Sequence, residues 1–154
     1  MRERYGLEDA TTFHYMNQSD CTTISVNDAE EFQITEQALR DVGFSDDEQE
    51  GIMRVVAIVL HLGNVQFQHN TDDDESACFT PSSGKHLKRV SEMLGFDEER
   101  LSHLLSTRRI VTRSESITKS FTVDEAVQNR DTLTKLIYVS LFDHLVGRLN
   151  VSIG

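Results

Sequence analysis

Apolar positions recur at helical spacing in several separate stretches of this chain, and the residues at their ends punctuate them. Asn27 followed by Glu30 has capping-box spacing, in which a side-chain oxygen and a later glutamate satisfy free amides at a helix start. Phe32, Leu39 and Val42 recur on a helical period up to Gly43, whose missing Cβ suits the left-handed turn that stops a helix. A helix over about 28–42 follows. Ser45 and Glu48 repeat this grammar, and Asp46, Asp47 and Glu48 put negative charge at the positive end of the helix dipole. This second helix runs to about Leu62, with Gly63 as its stop. Its run IMRVVAIVLHL is apolar nearly all round, with only Arg54 and His61 polar, so it is expected to be surrounded by protein.

After Gly63 the period changes. Val65 and Phe67 alternate with polar neighbours in NVQFQ, which predicts a short strand. Residues 69–84 read as a loop: they hold the acid run Asp72-Asp73-Asp74-Glu75, the chain's one proline, Pro81, and a Ser-Ser-Gly turn signal. The acids are contiguous rather than alternating around a glycine, so a solvated loop is expected and not a calcium loop. Helices over about 85–94 and 98–106 follow, joined by GFDEER, which has the form of GFSDDEQ at 43–49. The flanking residues do not match, so this is shared punctuation and not a duplication. Thr122 and Glu125 make a further capping box. Val127, Leu133, Leu136, Ile137, Leu141, Leu145 and Leu149 carry a helical stripe to about residue 150, a length of roughly 42 Å at the usual rise.

The run RRIVTRSESITKSF, residues 108–121, lies between these last helices. Ile110, Val111 and Thr112 on one side, and Ile117 and Thr118 on the other, predict two short strands meeting at a polar tip. Spacing alone leaves this hairpin open between a solvated connector and a docking loop.

Charge sharpens that choice. The chain has 154 residues, 38% of them hydrophobic, and a formal net charge of −11. One folded unit with a real core is expected. No window reaches the ~18 to 20 apolar residues of a membrane helix, and the N-terminus lacks the apolar stretch of a secretory signal, so the chain reads as cytoplasmic without membrane insertion. The two cysteines, Cys21 and Cys78, suggest neither a disulfide framework nor a zinc site. Net acidity argues against nucleic acid as a partner, yet Arg108, Arg109, Arg113 and Lys119 stand against the single acid Glu115 in the hairpin. A basic patch on an acidic body can dock an acidic partner.

Catalytic chemistry is hard to find. GxSxG, HExxH and GxGxxG are absent, and the six histidines show neither an i, i+4 pair nor a metal-ligand spacing. Ser82-Ser83-Gly84-Lys85 approaches a phosphate loop, but Phe79 stands where its first glycine belongs and His86 where a hydroxyl should hold magnesium. No catalytic, cofactor-binding or metal-binding residue is assigned.

The blocks FHYMNQS (13–19), DAEEF (28–32), ALRDVGFSDDEQ (38–49), HLGNVQF (61–67) and RDTLTKLIYVSLFDHLVGRLNVSIG (130–154) occur in the order in which the myosin motor domain carries similar blocks. On these the chain resembles a myosin head, over essentially its whole length. The resemblance implies a mainly α helical subdomain with a short strand and a hairpin-like surface loop, ending in a long helix. It implies that residues 1–154 are part of a head, lacking the P-loop, switch I and switch II, and belonging mainly to the actin-facing upper subdomain. ATP and magnesium then belong to the complete head, and none is expected on this fragment. The implied partners are actin filaments and the remainder of the head, on the cytoplasmic actin cytoskeleton.

Within that resemblance, 69–84 matches a variable surface loop, and 107–121 matches the loop that myosins press against actin. Arg108, Arg109, Arg113, Glu115 and Lys119 are its expected contacts. The family places an acidic or phosphorylatable residue sixteen positions before the aspartate of a DALAK-like block. Counting back from Asp131 of DTLTK reaches Glu115, the expected regulatory position, flanked by Ser114 and Ser116. Threonines in DTLTK, and His144 where tryptophan is common, mark a divergent unconventional myosin. The alternative is a non-motor helical module that binds actin or another acidic protein without ATPase activity.

Overall fold

Side-chain caps decide where the helices begin, and most lie where the sequence places them. The computed structural model describes residues 2–19, 27–73, 75–112 and 115–153 and is mainly helical. A short helix α1 (Arg2–Tyr5) and a 3-10 turn (Ala10–Thr12) precede α2 (Asp28–Asp41), which Asn27 caps through Ala29 N–H. Helix α3 (Asp46–Gly63) starts on a complete Ser45–Glu48 capping box. Strands β1 (Phe67–His69) and β2 (Ala77–Phe79) come next, then α4 (Ser83–Leu94) and α5 (Glu98–Ser106). Strands β3 (Thr107–Val111) and β4 (Ser116–Ser120) follow, and α6 (Val123–Ile153) ends the described chain.

Two expectations change, and a third holds for a different reason. Residues 77–79, expected within a loop, form β2, pairing antiparallel with β1 through Phe67↔Phe79, Gln68↔Cys78 and His69↔Ala77. The pairing is invisible to a local reading because its partner lies eight or more residues away. Gly63 ends α3 where expected, but not through left-handed backbone: positive φ occurs at Gly6, Gly43 and Gly95 only, among the described residues. Its lack of a side chain instead admits Tyr15, whose ring carbon would stand 2.6 Å from a Cβ placed there. Helix α3 is only partly enclosed. It buries Ile52, Ala57, Ile58, His61 and Leu62 but leaves Val56 exposed. Ile52, Val55, Leu136, Ile137 and Leu141 line an open apolar groove of about 610 Å³ between α3 and α6.

The core joins Ile58 and Leu62 of α3, Val65, Phe67 of β1, Leu87 and Val90 of α4, Leu101 and Leu105 of α5, and Ala126 of α6. The long helix meets this core through Val127, Leu133 and Ile137 of the predicted stripe, which are partly buried against it, and through a line the stripe does not contain: Ala126, Arg130 and Thr134, one turn apart, are its buried residues. Beyond Thr134 the helix exposes Leu136, Tyr138, Val139, Phe142 and Val146, while Arg148 ties its far end to Glu48 and the Gly43 carbonyl.

Arg130 is 4% exposed. Its Nη1 donates to the carbonyl oxygens of Val65 at 2.8 Å and Gly63 at 3.5 Å, while Nε and Nη2 reach Asp131 Oδ1 at 2.8 and 2.7 Å. Tyr15 Oη donates to the same carboxylate oxygen at 2.6 Å. One guanidinium thus ties α6 to the end of α3 and, through Asp131, to the N-terminal segment. Arg130→Met is expected to destabilise the chain by about 2 kcal/mol, because the buried Gly63 and Val65 carbonyls lose their donor, while Asp131, nearly half exposed, is solvated in part. Urea unfolding, followed by circular dichroism, measures this. Arg130→Lys should recover only part, since a point ammonium cannot reach both carbonyls and carboxylate at once.

A second long-range tie was hidden from the spacing of the histidines. His61 and His86, both buried, place their Nδ1 atoms 2.8 Å apart, and His61 Nε2 lies 2.7 Å from the Tyr5 carbonyl oxygen. A carbonyl only accepts, so His61 donates from Nε2, and its Nδ1 accepts from His86. Burial pushes the His61 imidazole below its ordinary value. Burial, then the neighbouring His61 and Lys85, push His86 down to about 4. Above the ordinary imidazole value near 6.5 both states of the chain hold these rings neutral, and stability is insensitive to them. As pH falls from about 6.5 towards 4 the unfolded chain takes up the proton first, so stability drops, by on the order of 2 kcal/mol. Urea midpoints across that window should show the loss, and His86→Asn should flatten the part due to this pair.

Candidate functional site

The hairpin grows directly out of the core. Helix α5 ends at Ser106 and β3 starts at the next residue, so the first strand has a fixed origin. At its root Phe121 N–H donates to the Ser106 carbonyl at 2.8 Å, and the Phe121 carbonyl accepts from Ala77 N–H of β2 at 2.8 Å. The Phe121 ring packs on the core cluster. Asn129 Nδ2 of α6 donates to the Leu104 carbonyl, holding the end of α5 against the long helix. Strand register is Thr107↔Ser120, Arg108↔Lys119, Arg109↔Thr118, Ile110↔Ile117 and Val111↔Ser116. At the tip Thr112 N–H donates to the Glu115 carbonyl at 2.8 Å, and Glu115 N–H donates to Thr112 Oγ1 at 3.1 Å.

Directly opposed residues of an antiparallel pair share a face, and successive residues alternate. Arg108 and Lys119 therefore stand on one face with Ile110 and Ile117, and Arg109 stands on the other with Val111, Ser116 and Thr118. The expected contact residues do not form one cluster. Arg108 Nη1 pairs with Glu125 Oε1 at 2.9 Å. Arg109 Nε donates to Ser116 Oγ at 2.6 Å, a diagonal contact that fits the shared face. Lys119 makes no hydrogen bond or ion pair among the described residues. Glu115 is exposed at the tip. Arg113 and Ser114 lie outside the described residues, as do Asp74 and Cys21.

Glu125 is the residue whose part the sequence only half revealed. Its Oε2 accepts from Thr122 N–H at 3.0 Å and its own N–H donates to Thr122 Oγ1, completing the capping box at the start of α6. The backbone N–H of Thr122, followed by the charges of Arg108 and Lys119, holds its carboxyl below the ordinary glutamate range. Spacing exposes the cap. The ion pair spans seventeen residues and exists only because the hairpin folds back on the helix.

Elsewhere the polar groups are committed to the fold. Ser83 Oγ bonds the backbone N–H and carbonyl of Gln66, and Lys85 pairs with Glu8 at 2.9 Å, so 82–85 has no free cradle for a phosphate. Backbone N–H groups of Asp72 and Glu75 bond the side chains of Asn70 and Asp73, the local turns of a solvated acidic loop. Among the described residues no three His, Cys, Asp or Glu side chains converge as metal ligands, and no helix is long and apolar enough to cross a membrane.

Comparison with known proteins accounts for the whole chain. The family model for the myosin head (motor domain) matches residues 1–154. Myosin-6 of Arabidopsis thaliana is 42% identical over 153 residues, covering 99% of this chain and 10% of that protein. Myosin-7 and Myosin-16 of the same plant are 43% and 44% identical over 153 residues, with 9% and 12% of their own lengths covered. This chain spans about a tenth of the curated relatives it matches. A match along every block of the sequence, on a helical frame whose caps and core those blocks build, makes the chain a member of the myosin head (motor domain) family.

Proposed function

We propose that the chain contributes part of the actin-binding face of an ATP-driven myosin motor through the hairpin at 107–121, on the cytoplasmic actin cytoskeleton. The observation that carries this reading is the hairpin itself: a basic projection on an acidic chain, rigidly rooted yet exposed along both strands. Its cations suit an acidic filament surface, raising encounter rate and weak affinity in a salt-dependent way. Membership of a motor family supports this over a non-motor module, which no contact in the fold favours.

ATP and magnesium belong, in this reading, to the complete head. Residues 82–85 do not fit them: Ser83 and Lys85 are bound to Gln66 and Glu8. The remainder of the head supplies that site and covers the apolar groove between α3 and α6. Glu115 at the tip carries a fixed charge where relatives of the family carry an acid or a phosphate acceptor, which makes actin engagement independent of phosphorylation there.

Co-sedimentation with actin filaments tests the loop. Arg109→Glu with Arg113→Glu should weaken binding about tenfold at low ionic strength and much less near 0.5 M salt, where screening removes the attraction. Equal binding by both proteins at low salt would refute the docking role. In a complete head carrying these residues, Glu115→Ala should lower actin-activated turnover several-fold while leaving the turnover without actin unchanged. Full activation that instead follows phosphorylation of Ser114 or Ser116 would overturn constitutive competence.

A further inference from the structure

The hairpin has two charged faces, and the fold treats them differently. Arg108 and Lys119 are directly opposed, so two like charges stand side by side on one face. The only carboxylate bonded to that face among the described residues is Glu125, at 2.9 Å from Arg108. Glu125 is itself fixed: its second oxygen caps α6 through Thr122 N–H, so it cannot follow the hairpin outward. The face carrying Arg108, Ile110, Ile117 and Lys119 is thereby held towards the start of α6. The opposite face bears Arg109, Val111, Ser116 and Thr118. Among the described residues Arg109 pairs with no acid there; its Nε is steadied by the neutral Ser116 hydroxyl, which leaves the guanidinium charge without an ion pair. Apolar exposure follows the same division, with Val111 at 71% against Ile110 at 39% and Ile117 at 51%.

We propose that the Arg109–Val111–Thr118 face is the surface that meets an acidic protein partner, and that Glu125 neutralises Arg108 on the opposite face and so keeps it out of the attraction. The inference rests on the actin-docking reading above and deepens it: the occupant is an acidic filament surface with an apolar spot beside its carboxylates. Beyond a Debye length of about 8 Å an Arg108–Glu125 pair is felt as a weak dipole, whereas Arg109 acts as a full charge. Arg108 therefore contributes little to attraction although the sequence counts it with the rest.

Filament co-sedimentation of the full chain as wild type, Arg108→Gln, Arg109→Gln, Glu125→Gln and the Arg108→Gln/Glu125→Gln double variant separates the possibilities. Glutamine at position 125 keeps the oxygen of the capping box and removes the charge, so α6 retains its start, and far-UV circular dichroism checks this. At low salt Arg109→Gln should weaken binding about threefold or more and Arg108→Gln by less than about 1.5-fold. Glu125→Gln should strengthen binding about 2-fold by releasing Arg108, a gain that disappears in the double variant and at high salt. A merely structural role for Glu125 would weaken binding at every salt concentration. Equal losses from Arg108→Gln and Arg109→Gln, or weaker binding by a well-folded Glu125→Gln, would overturn the face assignment alone. No change in any variant, together with unchanged binding by the Arg109→Glu/Arg113→Glu protein, would remove the docking reading and this inference with it.

Discussion

Arg130 holds a full positive charge in a place from which water is almost entirely removed, and the arrangement around it depends on how that charge is matched. The guanidinium answers three needs at once: the Val65 and Gly63 carbonyls at the end of α3, the Asp131 carboxylate, and through Asp131 the hydroxyl of Tyr15. Free carbonyls at a helix end carry partial negative charge, so a cation there is favourable. The Tyr15 ring can reach this point because Gly63 has no side chain to obstruct it. Burial and the hydrogen bond to Asp131 push the Tyr15 phenol above its ordinary value, so it remains a donor across the working pH range. Packing, helix-end electrostatics and one glycine thus meet at a single residue.

This junction also determines what the hairpin can do. Helix α6 is seated on the core by Ala126, Arg130 and Thr134, and Glu125 lies one residue before that seat. With α6 held, Glu125 becomes a fixed carboxylate beside Arg108, and Asn129 holds the end of α5 from which β3 springs. The exposed strands are therefore mounted on a rigid base rather than on a mobile linker. The far half of α6 is held at its end, where Arg148 pairs with Glu48, donates to the Gly43 carbonyl and stacks over the Phe44 ring, and its exposed Leu136 lines the apolar groove against α3. An exposed apolar surface of this kind marks an interface, in keeping with a chain that spans a tenth of its relatives.

The helices were legible because their determinants are local. Ser45 with Glu48 and Thr122 with Glu125 are capping pairs three residues apart, and both occur as bonded caps. The hairpin was legible too, from β-branched residues flanking a polar tip, although the spacing could not choose between connector and docking loop. What failed to show was every feature requiring two distant segments. Strand β2 needed β1, the His61–His86 pair needed α3 beside α4, and the close packing of Tyr15 on Gly63 needed the N-terminal segment beside the end of α3.

The sequence by itself determined where most helices start, the basic character of residues 108–121 and the family, since caps, periodicity and ordered blocks are properties of neighbouring residues. Only the tertiary structure decided which charges are paired within the fold. Arg108 and Arg109 are adjacent and chemically identical in sequence, yet one is neutralised by Glu125 and the other rests on a hydroxyl. The reason is geometric: a strand sends successive side chains to opposite faces, and only one face of this hairpin looks towards α6.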